Sequence, residues 1–88
     1  MHLEATNRTP EVSISDSVLE MKGECYPEDI TAFAEPILEL LAEKLEACNS
    51  YSVGLELRYF NSSSAKFFFD FFEVLEDAAA NGKNISVE

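Results

Sequence analysis

Apolar and polar residues alternate along residues 11–15, and a second strand-like segment follows at residues 18–23. Alternation with a period of two places successive side chains on opposite faces of a strand. The two segments are separated by Asp16 and Ser17 alone, a spacing typical of a tight antiparallel turn. The pattern therefore predicts a β-hairpin whose first strand begins just after Pro10.

The pattern then changes to a helical period. The acidic loop at residues 26–29 precedes a helix predicted to run to about Cys48, and negative charge favours the positive end of a helix dipole. Pro36 lies inside this helix and lacks the N–H that would reach the Ala32 carbonyl, so a bend or break is expected there. Glutamates line the outer face. The predicted core face consists of Ile30, Phe33, Ala34, Ile37, Leu41, Leu45 and Cys48.

The second half of the chain repeats this succession. Residues 51–60 alternate, with Val53, Leu55, Leu57 and Tyr59 on one face, and predict a strand. A Phe-rich helix over residues 63–80 is ended by Asn81-Gly82, and residues 83–88 predict a last strand. The expected core face of this helix is Ala65, Phe67, Phe68, Phe71, Phe72, Val74, Leu75, Ala78 and Ala79.

Strand, helix, strand, helix, strand in succession predicts right-handed parallel crossovers, with the first hairpin added at one side. The expected fold is a single α/β domain over residues 1–88, with a mixed sheet and two main helices. At 88 residues the hydrophobic core is small, which makes self-association, including a homodimer or an exchange of the terminal strand, an open possibility.

The charge of the chain excludes several classes of partner. Seventeen acidic and six basic residues give a net charge of -11, which repels nucleic acid and anionic membranes. No apolar stretch approaches the roughly 18 residues of a spanning helix, and no export signal precedes the first strand. A cytoplasmic protein is expected.

The chain offers little for catalysis or metal binding. His2 is the sole histidine, and Cys25 and Cys48 are predicted to be reduced, buried thiols, so no zinc site and no cofactor are expected. A serine nucleophile needs a neighbouring base, which the sequence does not supply. The glutamates of the first helix repeat on a solvated face rather than as a catalytic pair. The protein is therefore not expected to be an enzyme.

Three consecutive serines, Ser62 to Ser64, stand where the strand ends and the Phe-rich helix begins. Unpaired N–H groups and a positive dipole end occur at a helix N-terminus. A serine there is either a plain cap, with Ser62 or Ser63 in that role, or a carrier of phosphate. The two roles also coexist when a neighbouring serine caps the helix.

Three segments together resemble the SiaC family of bacterial regulatory phosphoproteins, whose fold is similar to STAS domains of anti-sigma-factor antagonists. They are NRTP at residues 7–10, GECYPED at 23–29 and YFNSSSAK at 59–66. The resemblance implies that the hydroxyl residue after Asn61, here Ser62, is phosphorylated by a dedicated protein kinase and dephosphorylated by a metal-dependent phosphatase. It also implies that the unphosphorylated form activates a diguanylate cyclase, which controls cyclic-di-GMP signalling and biofilm formation.

The sequence departs from the family pattern at a few positions. Ser62 stands where threonine is usual, Cys25 where serine is common and Asp29 where asparagine is common. Family members usually continue past the position of Glu88, so the C-terminal part of the fold is expected to be truncated.

A partner-binding surface is predicted from Asn61, Ser62, Ser63, Lys66 and Phe69. Phe69 falls outside the apolar face of its helix, on the side of Ser62 and Lys66, and is expected to be an exposed anchor unless a loop or C-terminal region covers it. Lys66, one turn after Ser62, is placed to pair with a phosphate. The alternative function is an adaptor or self-assembling structural module that does not depend on phosphorylation.

Overall fold

Five strands form one mixed sheet, in the order in which they occur along the chain. The computed structural model describes residues 1–88. Its elements are β1 His2–Leu3, β2 Glu11–Ile14, β3 Val18–Cys25, α1 Ile30–Ala47, β4 Ser50–Phe60, α2 Ser62–Ala80 and β5 Asn84–Val87.

The strand pairing confirms the predicted hairpin and the two crossovers. β2 and β3 are antiparallel, with Val12 opposite Met21, whereas β3 with β4 and β4 with β5 are parallel. The two-residue strand β1 pairs antiparallel with β2 and was not predicted, because two residues are too few to show an alternation. Both crossovers step across the sheet in the same direction, so right-handed connections place α1 and α2 on one face. The other face carries no layer of helices.

The core lies between this sheet and the two helices, which also contact each other. Val12, Leu19, Met21, Tyr51 and Val53 supply its sheet side. The helices contribute Ala34, Ile37, Leu41, Leu45, Phe67, Phe68, Phe71 and Leu75. Cys25 is buried and Cys48 half-buried, and both are free thiols. Neither helix combines the length and apolar character that crossing a membrane requires, and no group of three or more His, Cys, Asp or Glu side chains is arranged to hold a metal ion.

Of the bend or break predicted at Pro36, the break does not occur, because α1 continues through this residue from Ile30 to Ala47. Pro36 and Ala32 are both exposed, so water can reach the Ala32 carbonyl that the missing N–H leaves free. The helix begins at Asp29, whose side chain accepts a hydrogen bond from the Ala32 N–H at 3.1 Å. It ends where the Lys83 ammonium donates to the Glu46 carbonyl at 3.3 Å and to the Cys48 carbonyl.

A bulge in β4 corrects the predicted alternation of that strand. Gly23 of β3 pairs with Leu57, but Glu24 pairs with Tyr59, so Arg58 is an extra residue in β4. Tyr59 is therefore turned away from the helices and is 54% exposed, while the Phe60 ring lies 5.5 Å from Phe68 of α2. Gly23 has φ of +126°, and a Cβ there would stand 3.3 Å from the Pro10 Cα.

The apolar face of α2 is narrower than its sequence predicts. Ala65, Phe72 and Ala79 were expected in the core but are exposed, whereas Ser64 is fully buried. The physical reason is that residues 65, 72 and 79 lie on the flank of α2 opposite Ser63, Phe67 and Asp70, which face α1. The predicted exposure of Phe69 is confirmed, since 71% of its surface is accessible.

Tyr51 provides a test of the core at alkaline pH. Its side chain is buried and its hydroxyl donates to the Ser15 carbonyl at 2.9 Å. Burial, with smaller contributions from Cys48 and Asp16, raises the pKa of Tyr51 from 10.0 to about 12. Because the raised pKa belongs to the folded state, this stability is complete below pH 10 and is lost as the pH rises to about 12.

We expect the free energy of unfolding to fall by about 2 kcal/mol more in the wild type than in Tyr51→Phe between these pH values. Urea denaturation of both proteins at each pH measures the difference. Equal pH dependence of the two proteins contradicts the assignment.

Candidate functional site

The carboxyl ends of β3 and β4 lie at the same end of the sheet, because the two strands are parallel. This arrangement brings together the three segments that resemble the SiaC family. The Arg8 guanidinium pairs with the Glu28 carboxylate at 2.7 Å, and the Tyr26 N–H donates to the Arg8 carbonyl at 2.7 Å. The Tyr26 and Tyr59 rings meet edge to face with centroids 5.5 Å apart. The segments therefore form one continuous structure around the start of α2.

Asn61 is the N-cap of α2, in place of the serines for which that role was considered. Its backbone is extended, with φ of -93° and ψ of 177°, and its side-chain oxygen accepts the Ser64 N–H at 2.9 Å. The Asn61 N–H donates to the Cys25 carbonyl at 3.4 Å, which ties the cap to the end of β3. The predicted contact of Asn61 with a partner stays a prediction, and within the chain its side chain starts the helix.

The three serines occupy different environments. Ser64 is fully buried, and its hydroxyl oxygen accepts a hydrogen bond from the Cys25 thiol at 3.6 Å. Burial raises the pKa of that thiol, which keeps it protonated and able to donate. Ser62 and Ser63 are exposed, and the hydrogen bonds of the cap involve Asn61 and Ser64 rather than their hydroxyls. Of the three serines, only the first two, Ser62 and Ser63, are therefore accessible.

The remaining predicted site residues divide between two sides of α2. Ser63 and Lys66 line a groove of about 240 Å³ between α1 and α2, together with Ile30 and Asp70. The Lys66 ammonium lies 3.5 Å from the Asp70 carboxylate, one turn further along the helix. Phe69 does not line this groove. The structure therefore brings Ser63 together with Lys66, and leaves Phe69 on a separate exposed surface.

Two further exposed aromatic residues escaped the sequence analysis. Phe60 and Phe72 are 49% and 39% exposed, and residues 65, 69 and 72 share one flank of α2 through their three- and four-residue spacing. Phe60 adjoins this flank through its contact with Phe68. We call Phe60, Ala65, Phe69 and Phe72 the α2 aromatic patch. Helical periodicity alone did not predict the α2 aromatic patch, because Phe72 falls at the edge of the apolar face and was counted as part of the core.

Comparison with known proteins identifies the family. The SiaC family of regulatory phosphoproteins matches residues 3–88. The structure of apo-SiaC from Pseudomonas aeruginosa matches with a TM-score of 0.94 and 27% sequence identity, over 99% of this chain and 74% of that chain. The structure of the diguanylate cyclase SiaD in complex with its activator SiaC, from the same organism, matches with the same TM-score of 0.94. No curated protein sequence gives a significant match. The chain therefore belongs to the SiaC family of regulatory phosphoproteins.

Proposed function

We propose that this protein is a switch: its unphosphorylated form binds and activates a diguanylate cyclase, and phosphorylation of Ser62 ends that contact. The cyclase as effector is supported by the complex in which Pseudomonas aeruginosa SiaC is the activator of SiaD. One observation about this chain carries the choice of residue. Ser62 is the exposed hydroxyl residue that directly follows the capping Asn61, at the first position of α2.

A phosphate at this position suits the local structure. It adds a charge of about -1.5 to -2 beside the positive end of the α2 dipole and its free N–H groups, so α2 stays folded. Lys66 lies one turn away and pairs with the Asp70 carboxylate in the unphosphorylated protein. After phosphorylation, the phosphate on Ser62 is a second anion that Lys66 can bind. The switch then acts through the charge and bulk of its surface, because a partner that covers Ser62 must strip water from a phosphate.

In this proposal the chemical steps are carried out by partner enzymes. A protein kinase transfers phosphate to Ser62, a metal-dependent phosphatase removes it, and the cyclase makes cyclic-di-GMP. Ser62 itself lacks a base: the sole imidazole, His2, lies on β1 at the opposite edge of the sheet from β5 and contacts Ser13 and Glu11. We infer a cytoplasmic location, because the kinase and the cyclase both consume nucleoside triphosphates.

Phosphorylation of Ser62 and its effect on binding are measured in two steps. The protein is incubated with ATP and a cognate protein kinase, and the phosphosite is mapped by mass spectrometry. We expect the label on Ser62, loss of the label in Ser62→Ala and retention in Ser63→Ala, whose hydroxyl is also exposed. Calorimetry with the cognate cyclase is then expected to show binding at least about tenfold weaker after phosphorylation, a change of about 1.4 kcal/mol.

Two results count against this function. If an active kinase labels only Ser63, the assignment of the phosphosite to Ser62 is wrong. Equal cyclase affinity of the two phosphorylation states leaves no switch.

A further inference from the structure

We propose that the buried pair of Cys25 and Ser64 selects which serine of α2 is phosphorylated. The pair fixes the residue at which the helix begins, so both are positioning residues that act through the backbone. Neither side chain contacts the kinase, because both are completely buried. This inference rests on the proposed function, since it concerns the choice of Ser62 as the phosphosite.

The start of α2 offers several residues that can cap the helix. Asn61 is followed by Ser62 and Ser63, and asparagine and serine are about equally good N-cap residues. A capping side chain accepts the N–H three residues further on, which is the Ala65 N–H for Ser62. A helix that begins one residue later therefore loses little in capping, and another contact has to exclude it.

A closed ring of three hydrogen bonds holds the cap at Asn61. The Ser64 N–H donates to the Asn61 side chain at 2.9 Å, and the Asn61 N–H donates to the Cys25 carbonyl at 3.4 Å. The Cys25 thiol completes the ring by donating to the Ser64 hydroxyl oxygen at 3.6 Å. In a helix capped by Ser62, the ring opens because Ser64 becomes the second helical residue and its N–H no longer lies opposite the Asn61 side chain.

The link between the two buried side chains decides where the helix begins. Water does not reach the Ser64 hydroxyl, and a buried hydroxyl that loses its partner is costly. The Cys25 thiol at the end of β3 therefore keeps Ser64 at the third helical position. Even a weak thiol donor is sufficient, because the competing caps are nearly equal in strength.

The position of the cap determines which hydroxyl directly follows it. With Asn61 as the cap, Ser62 is the first helical residue and its hydroxyl takes no part in capping. With Ser62 as the cap, its own hydroxyl accepts the Ala65 N–H, and Ser63 takes the first helical position. We therefore expect the kinase label to move from Ser62 toward Ser63 when the ring is opened.

The test opens the ring in two variants and maps their phosphosites by mass spectrometry after incubation with ATP and the cognate kinase. Cys25→Val removes the thiol donor, and Ser64→Ala removes the acceptor but keeps the N–H that binds Asn61. In each variant the ratio of label on Ser63 to label on Ser62 is expected to rise at least about fivefold above the wild type, or about 1 kcal/mol.

Two control variants separate this role from a general loss of stability. Cys25→Ser keeps a hydrogen-bond donor at the same position and is expected to retain the wild-type ratio. Cys48→Val removes the other thiol, which donates to the Leu45 carbonyl at 3.6 Å on α1, and is expected to retain it as well. Hydrogen exchange of the Ser64 N–H is expected to be faster in Cys25→Val than in Cys25→Ser, because the cap holds this N–H while the ring is closed.

The outcomes distinguish this inference from the function on which it rests. If the cognate kinase does not label Ser62 of the wild type, the proposed function and this inference both fail. If Ser62 of the wild type is labelled and the folded variants keep the wild-type ratio, the inference alone is overturned. Faster labelling of both serines at an unchanged ratio also overturns it, because the ring then only stabilises the fold. If Cys25→Val does not fold, Ser64→Ala decides, since it removes a single oxygen atom.

Discussion

Replacing Phe71 with alanine is expected to lower the free energy of unfolding by about 3–5 kcal/mol. Phe71 is completely buried, and its ring lies 6.0 Å from Phe67 and 5.6 Å from Phe72, measured between centroids. The loss combines the transfer of a large apolar side chain to water with the cavity that its neighbours cannot fill. A chain of 88 residues has a total stability on the order of 4–13 kcal/mol, so the variant keeps little or none of it.

Urea denaturation followed by circular dichroism measures this loss. Phe69→Ala is the matched control, because it removes the same side chain from the same helix where 71% of it is already in water. A change within about 0.5 kcal/mol is expected for the control. Equal losses in the two variants contradict the packing described for α2.

Phe69→Ala, the control in the denaturation experiment, is the variant with the largest expected effect on function. Phe69→Ala is expected to weaken cyclase binding by about thirtyfold, or about 2 kcal/mol, while the fold is retained. Phe69 is the most exposed large hydrophobic residue of the protein and lies on the same helix as Ser62. An aromatic ring that leaves water when the partner binds contributes through the apolar area it buries.

Calorimetry with the cyclase measures this effect, and circular dichroism verifies that the variant is folded. Val18→Ala serves as the control for removal of an exposed apolar side chain, because Val18 lies at the start of β3, remote from α2's first turn, and binding is expected within twofold of the wild type. A folded Phe69→Ala protein that binds the cyclase with wild-type affinity excludes Phe69 as an anchor.

Most of the fold follows from patterns that are local in sequence. The hairpin at residues 11–23, the two amphipathic helices and the parallel strands between them each have a period that sequence alone reveals. The core residues Ile37, Leu41 and Leu45 follow directly from helical spacing. A bend or a break was predicted at Pro36, and the helix does not break there because water can satisfy the carbonyl that a proline on an exposed helix face leaves unpaired.

The candidate site was likewise predictable only in part. The exposure of Phe69 was predictable because that residue lies far from the centre of the apolar face. The exposure of Phe72 was not, since it depends on which flank of α2 packs against α1 and the sheet rather than on any property of α2 alone. The bulge at Arg58 likewise depends on how β4 meets β3, and it alone decides that Tyr59 faces away from the helices.

The sequence by itself determined the order of the elements, the acidic exterior and the position of three serines at the start of a helix. Tertiary structure decided how those serines differ. Ser64 meets the Cys25 thiol and is buried, Asn61 is held by the Cys25 carbonyl and caps α2, and Ser62 is left exposed. The physical reason is that these contacts join α2 to a strand that ends 36 residues earlier in the chain, at Cys25 against Asn61. Contacts between residues so far apart in the chain do not produce a periodic pattern of residue types in the sequence.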